Sequence, residues 1–443
     1  MHLKEELQER GFLKQYTDEA LFDIYEKWGN SFYFGVDPSS NSMTIGNFVA
    51  LMQAIHVMLR GNKCYLLVGG ATGMIWNPSW KDAERNFLDT DTLAKNQAGI
   101  HSDFQRLCNN IQKITKKTLN YEIVNNYDRF KNMNYLEFLR EVGKVMTVNR
   151  MMNKDIVRNR ISDPDKFISY AEFSYMLIMG YDFYVLHRDH GVTLEVWWSD
   201  EWDGILAGIE ITHKLTWNTV YGITNNLILD SNGKKFGKSE GNALWLNPDK
   251  NSPYIVYQYF MNAADVDVSR YLKLFTFLDL NEIEDIQAQH NQNPELRLGQ
   301  KKLAYLVCQI IFSTEEAEQA KLTSEFMFAE NKIEVLKGLP EESQRSLAKE
   351  VNSKYTNSAL YQNTTYEPSD TLIDVLVKFW IVESRWDAKK LIQQWGISVN
   401  EQKITDIAYT LQPEEFISGK LILLSKWKKD MFLLFKDHHA MVN

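Results

Sequence analysis

Three lysines and two glycines crowd the segment Lys234-Lys235-Phe236-Gly237-Lys238-Ser239-Glu240-Gly241, just after the turn Asp230-Ser231-Asn232-Gly233. Glycines let a backbone close over a ligand, and lysine ammoniums offset negative charge that builds on a departing group. The segment reads as an anion-handling loop, although a solvated hairpin tip has the same composition. A second polar turn, Asp37-Pro38-Ser39-Ser40-Asn41-Ser42-Met43-Thr44-Ile45-Gly46-Asn47, delivers the chain into a helix. A helix start offers unpaired N–H groups and the positive end of a dipole to anything phosphate-like, and Gly46 permits the close approach of a flat ring. An ordinary N-capped helix looks the same. Together on one scaffold, about 190 residues apart, the two segments are stronger than either alone.

The elements around them set that scaffold. Ser31 to Val36 reads as a strand, Ile45 to Arg60 as a helix with Phe48, Leu51, Met52, Ile55 and Met58 apolar, and Lys63 to Val68 as the next strand. This strand ends in Gly69-Gly70-Ala71-Thr72-Gly73, which puts a glycine turn at a strand's carboxyl end, where open α/β sheets hold ligands. Glu172 to His187 is a long apolar helix, and Val192 to Val196 a short strand leading into Trp197-Trp198-Ser199-Asp200-Glu201-Trp202. The pattern predicts an α/β fold with a parallel sheet. From Ser252 to about Ala320 the reading is helical, with a break at Asn291 to Pro294. Asn363 to Asp370 reads as a linker, followed by a tail with a helix at Trp386 to Trp395 and strands at Leu421 to Leu424 and Met431 to Phe435.

The 443 residues, 44% apolar and 24% charged, suit two or three globular cores. The first residues lack the apolar stretch of a signal peptide, and no apolar run is long enough for a membrane span, so a cytoplasmic protein is expected. Cys64, Cys108 and Cys308 lack metal-ligand spacing and are expected to be reduced and buried, with no protein-bound metal. A net charge of -9 excludes a chain that coats nucleic acid everywhere but permits a local basic groove.

These segments resemble class I aminoacyl-tRNA synthetases, whose two ATP motifs are an HIGH-like tetrapeptide, here Thr44-Ile45-Gly46-Asn47, and a KMSKS-like loop, here Lys235-Phe236-Gly237-Lys238-Ser239. Within that class the chain is similar to the bacterial tyrosyl enzymes along nearly its whole length. Gly69 to Gly73, Glu172 to Met176, Tyr181-Asp182-Phe183, Ser199-Asp200 with Trp202, Trp245-Leu246, Ser252-Pro253-Tyr254 and Arg270 to Lys273 carry the likeness. The resemblance implies a Rossmann-like catalytic domain over 1–222, a KMSKS-loop and helical domain over 223–325, a helical and linker region over 326–370 and a small S4-like α+β RNA-binding domain over 371–443.

It also implies roles. Tyr33 and Asp182 match the pair that grips the substrate's phenol hydroxyl; a buried carboxylate and phenol left unpartnered would reject a substrate lacking it. Asp37, Asn77, Tyr175, Met179 and Glu201 match the rest of the amino-acid site. Gly35, Ser39, Gly46, Asn47, Trp198, Asp200 and Ser239 match ATP-binding positions. Lys81, Arg85, Lys235 and Lys238, with Thr44, match the groups that stabilise the pyrophosphate in the transition state. Implied partners are tyrosine, ATP with Mg²⁺, tRNA and a second copy of the chain. Arg385, Lys389 and Lys390, joined by Lys426, Lys428 and Lys429, are candidates to meet RNA phosphates.

The pattern also breaks. The first histidine of the HIGH-like motif is Thr44. Where relatives read Gly-Asp-Pro-Ser-Gly the chain has Trp76-Asn77-Pro78-Ser79-Trp80, and where they read Gly-Gly-Ser-Asp-Gln-Trp-Gly-Asn it has Trp197 to Gly204. Four glycines have become tryptophans, and Asn77, Met179 and Glu201 stand where relatives carry an aspartate and two glutamines that meet the substrate's polar end. Three functions fit: a tyrosine–tRNA ligase, a paralogue that adenylates another phenolic substrate, and a non-catalytic RNA-binding or regulatory protein on the same scaffold.

Overall fold

A computed structural model describes residues 1–75, 88–163, 168–226, 238–239, 242–353, 367, 369–427 and 430–436. Its contacts divide the chain into two units, Met1–Thr314 and Glu315–Asn443.

The first unit is built on six strands, β1 (Gln15–Tyr16), β2 (Ser31–Val36), β3 (Lys63–Val68), β4 (Tyr121–Asn125), β5 (Val192–Trp198) and β6 (Tyr221–Asn225), in the spatial order β1-β6-β5-β2-β3-β4. All pairings are parallel except that of β1 with β6. From β2 the chain runs outward to β3 and β4, then returns to β2's other side for β5 and β6. The order therefore reverses between β2 and β5, and ligands of open α/β sheets lie outside the carboxyl ends of the strands at such a point. Helices pack over the sheet, which is why β2 and β3 are almost wholly buried and read as continuous apolar runs.

Local chemistry sets the helix ends. Thr44 caps the helix Ile45–Met58: its hydroxyl accepts from the Asn47 N–H, and the Asn47 side chain accepts the Thr44 N–H in return. The helix Tyr170–His190 starts two residues before Glu172 because Ser169 and Glu172 form a reciprocal box of the same kind, and it stops at Gly191, whose φ is 66°. It packs tightly on the helix Trp202–Thr216 through facing glycines; a Cβ on Gly180 would lie 3.1 Å from the Gly208 nitrogen. Helices Pro253–Met261, Asp265–Phe275, Leu280–Gln292 and Leu298–Ile311 follow, with the chain break of the helical run at Asn293. Two short strands, β7 (Lys238–Ser239) and β8 (Asn242–Ala243), pair antiparallel.

In the second unit, β9 (Ile397–Val399), β10 (Gln402–Lys403), β11 (Leu421–Lys426) and β12 (Asp430–Phe435) form an antiparallel sheet in the order β10-β9-β11-β12. Both faces are covered. Leu421, Leu423, Leu433 and Phe435 join a core with Leu336, Leu347 and Val351, whereas Ile422, Leu424, Phe432 and Leu434 join one with Leu372, Leu376, Ala388 and Ile392. The helices of 326–353 and the tail thus share a core, and burial on both sides explains the unbroken apolar runs in β11 and β12.

Among the described residues, nine other than glycine have positive φ, and four of these are tryptophans: Trp217, Trp380, Trp395 and Trp427. A bulky side chain in the left-handed region costs about 1–2 kcal/mol. The three cysteines are buried and form no disulfide. No described helix is long and apolar enough to cross a membrane.

Candidate active site

The turn that follows β2 is fastened by one buried carboxylate. Asp103, on the helix Thr90–Thr115, accepts the Ser42 hydroxyl at 2.9 Å and the Met43 N–H at 2.8 Å through a single oxygen. The chain emerging from β8 then pairs with this turn: the Ile45 N–H donates to the Leu244 carbonyl at 2.8 Å and the Leu246 N–H to the Met43 carbonyl at 3.0 Å. Arg106 donates to both Asp103 and the Leu246 carbonyl. The flank of the lysine-glycine loop and the start of the Thr44-capped helix are therefore joined by backbone hydrogen bonds, although 190-odd residues separate them. Thr44 spends its hydroxyl on the cap, donating to Asn47 Oδ1 at 2.8 Å. Gly46 and Asn47 lie half-buried in the first turn, and Ser39 is exposed.

At the carboxyl ends of β2, β3 and β4 the polar groups are already paired. Asp37 accepts from the Thr72 hydroxyl at 2.5 Å and from the Tyr175 hydroxyl at 2.7 Å. Asn126, just beyond β4, accepts the Ala71 N–H and donates to Asp182 at 2.8 Å, while Arg129 donates to the other Asp182 oxygen at 3.0 Å. Asp182 is 1% exposed. Burial pushes its carboxyl up to about 6, against the pull of Arg129 and Asn126. At neutral pH it is an anion with its lone pairs fixed for a donor.

The floor of the site is less complete. Tyr33 and Glu195 are register partners on β2 and β5, so their side chains leave the same face of the sheet. Both are fully buried, and neither the Tyr33 hydroxyl nor either Glu195 oxygen makes a hydrogen bond of good geometry. They perturb each other as close neighbours. Burial pushes the Glu195 carboxyl up to about 8, so it is protonated at neutral pH, and pushes the Tyr33 hydroxyl up as well. Buried polar groups without partners are rare and need an explanation. A ligand hydroxyl set between Tyr33 and Asp182 would give the Tyr33 hydroxyl such a partner.

The end of β5 differs in kind. The Trp197 indole lies over Gly35: a Cβ there would stand 2.3 Å from Trp197 Cζ3, so only glycine fits. Trp197 and Trp202 pack against the buried cluster of Tyr175, Met179 and Ile205. Trp198 reaches toward the helix start, with Cζ2 4.0 Å from the Cβ position of Gly46. Asp200 and the buried Glu201 lie in the 3₁₀ turn Ser199–Glu201 beyond it.

Tyr33, Gly35, Asp37, Thr44, Gly46, Asn47, Tyr175, Met179, Asp182, Trp198, Asp200 and Glu201 are thus carried by neighbouring elements at one end of the sheet. Asn77, Lys81, Arg85 and Lys235 lie outside the described residues, and Lys238 and Ser239 are described as the backbone of β7. In the other unit Arg385 pairs with Asp374, leaving Lys389 and Lys390 exposed, the latter 5.0 Å over the Trp386 ring. Sequence reasoning missed Asn126, Arg129 and Glu195. A glutamate inside the apolar run of β5 was the signal for the last; nothing local marks the other two.

The model of the class I tRNA synthetases (W and Y) matches residues 28–329. The chain belongs to that family. A second model, that of the tyrosine–tRNA ligase SYY-like C-terminal domain, matches residues 356–434. The synthetase is 40% identical over 435 residues to the tyrosine–tRNA ligases of several Streptococcus pneumoniae strains, covering 98% of this chain and all of theirs. Among solved structures, it is similar to the C-terminally truncated mitochondrial tyrosyl-tRNA synthetase of Aspergillus nidulans, with a TM-score of 0.68 and 27% identity over 74% of this chain and 94% of that one. The corresponding truncated enzyme of Coccidioides posadasii gives a TM-score of 0.64 and 28% identity over 72% and 91%. These likenesses place the synthetase in the bacterial tyrosyl branch of its family.

Proposed function

We propose that this synthetase is a tyrosine–tRNA ligase that activates tyrosine with ATP and passes the tyrosyl group to tRNA. The reading rests above all on the Tyr33 hydroxyl, buried beside Asp182 and Glu195 at the switch point of the sheet and suited to one phenol hydroxyl. With the ring so fixed, the substrate carboxylate is the nucleophile and attacks the α-phosphorus of ATP; pyrophosphate leaves and tyrosyl-adenylate remains. No general base is needed, so catalysis is positioning plus electrostatics. Lys81, Arg85, Lys235 and Lys238 are assigned to the charge on the leaving pyrophosphate, and Thr44, Gly46 and Asn47 to the phosphates and adenosine at the helix start. Magnesium arrives as part of the ATP substrate. The tRNA's terminal ribose hydroxyl then attacks the tyrosyl carbonyl and AMP leaves. Lys389 and Lys390, with Arg385, are assigned to tRNA phosphates, and the working state is a cytoplasmic homodimer.

Trp197 over Gly35 favours a second reading, in which the phenol grip is kept for a shorter phenolic acid. Tyrosine-dependent exchange of pyrophosphate into ATP, followed by charging of tRNA, separates the two. Exchange and charging with tyrosine support the ligase; exchange only with other phenolic acids supports the second reading and sinks the first.

A further inference from the structure

Ten of the twelve tryptophans fall into two classes, whereas Trp28 and Trp386, exposed and without positive φ, belong to neither. Trp202 and Trp245 stand where the tyrosyl enzymes also carry tryptophan, and both are half-buried. Trp217, Trp380, Trp395 and Trp427 instead hold φ of 64°, 56°, 59° and 56°, with 81%, 60%, 61% and 48% of their surface open to solvent. Exposed indoles recover little from burial that would offset left-handed strain. Trp380 and Trp395 each follow the C-cap of a helix within the double hydrogen-bond pattern that glycine ordinarily closes. The Trp380 N–H donates to Val377 and the Ile381 N–H to Leu376; the Trp395 N–H donates to Ile392 and the Gly396 N–H to Leu391. Trp217 ends the helix Trp202–Thr216 with its N–H on the His213 carbonyl, and Trp427 opens the turn between β11 and β12.

The active site repeats the pattern. Trp197 and Trp198 stand at motif glycines; the Trp197 indole lies hard over Gly35, and Trp198 comes into van der Waals range of Gly46. Trp76 and Trp80, outside the described residues, also stand at motif glycines.

We infer that positions 76, 80, 197, 198, 217, 380, 395 and 427 carry glycine in the protein as its own cell makes it, whereas Trp202 and Trp245 are true tryptophans. One codon accounts for all eight. UGA differs from the glycine codon GGA in its first base and from the tryptophan codon UGG in its last. A cell that reads UGA as glycine yields tryptophan at every such position when the same gene is read with UGA as tryptophan. Strain at helix ends, crowding at motif glycines and the sparing of Trp202 and Trp245 then have a single cause. Glycine at 197 and 198 also clears the space over Gly35 and Gly46 and leaves the bare backbone of β5 to face tyrosine and adenosine. Only that last consequence rests on the tyrosine-activating reading.

The test is peptide mass spectrometry of the protein purified from its native cell, with the codons read alongside. Glycine at the eight positions, UGA behind them and UGG at 202 and 245 are expected; tryptophan at 217, 380, 395 and 427 in the native protein overturns the inference. In parallel, the chain carrying tryptophan and the chain carrying the eight glycines are compared as purified proteins. The glycine form is expected to melt about 10 °C higher and to exchange pyrophosphate with tyrosine at least about tenfold faster, and equal melting temperatures count against the inference. A glycine form that is more stable yet inactive with every amino acid supports it while sinking the ligase reading.

Discussion

The two sides of the switch point are built on opposite plans. At the ends of β2, β3 and β4 the site is made of side chains that hold one another: Thr72 and Tyr175 on Asp37, Asn126 and Arg129 on Asp182. At the end of β5 the proposed site would be bare backbone, and there two indoles stand. A hydrogen-bonded constellation declares itself by its partners, whereas a backbone surface is defined by what is missing, so a change of residue is felt at once on that side.

The largest expected effect breaks the first side. Asp182→Ala leaves Arg129 and Asn126 facing a buried gap; because Arg129 is partly exposed, urea unfolding should show a loss of about 2–3 kcal/mol. Discrimination of tyrosine from phenylalanine in pyrophosphate exchange should fall with it, and unchanged discrimination would remove Asp182 from the phenol grip. Next is Tyr175→Phe, which takes one charge-assisted hydrogen bond from Asp37. An increase of about tenfold in the KM for tyrosine follows from about 1.5 kcal/mol, and an unaltered KM would show Tyr175 to be only structural.

Glu195 sharpens the comparison because it belongs to β5 yet sits on the phenol floor. Its folded carboxyl titrates near 8, above its unfolded value of 4.5. The folded state therefore holds the extra proton between those values, and stability should fall as pH rises from about 5 to 8. Glu195→Gln should flatten that slope, measured by melting temperature against pH, and an unflattened slope would assign it to other groups. The smallest effects lie in the other unit: Trp380→Gly and Trp395→Gly should each stabilise by about 1 kcal/mol, read from urea midpoints.

What was legible in the sequence follows the same division. β2, β3 and the helix Ile45–Met58 stand where their apolar spacing put them, because burial on both faces leaves long uninterrupted runs. The sequence pattern starts the helix Tyr170–His190 at Glu172, two residues late, because its start is set by the Ser169 cap and not by apolar spacing. β4 was not read: it is only half-buried, with Glu122 exposed, so its alternation is weak. Asn126 and Arg129 become site residues only through the parallel pairing of β3 with β4, which nothing near them in the chain encodes. The tail's β11 and β12 are visible but fall short at the turn between them, β11 ending at Leu424 and β12 starting at Met431, since Ser425, Lys426 and Asp430 are polar residues held in the ladder by pairing alone.

Tyrosine against phenylalanine in pyrophosphate exchange, with protein purified from its native cell, tests the central claim most directly. ATP formation that depends on tyrosine and is absent with phenylalanine is expected. Exchange that is equal with both amino acids, or absent with tyrosine, would contradict it.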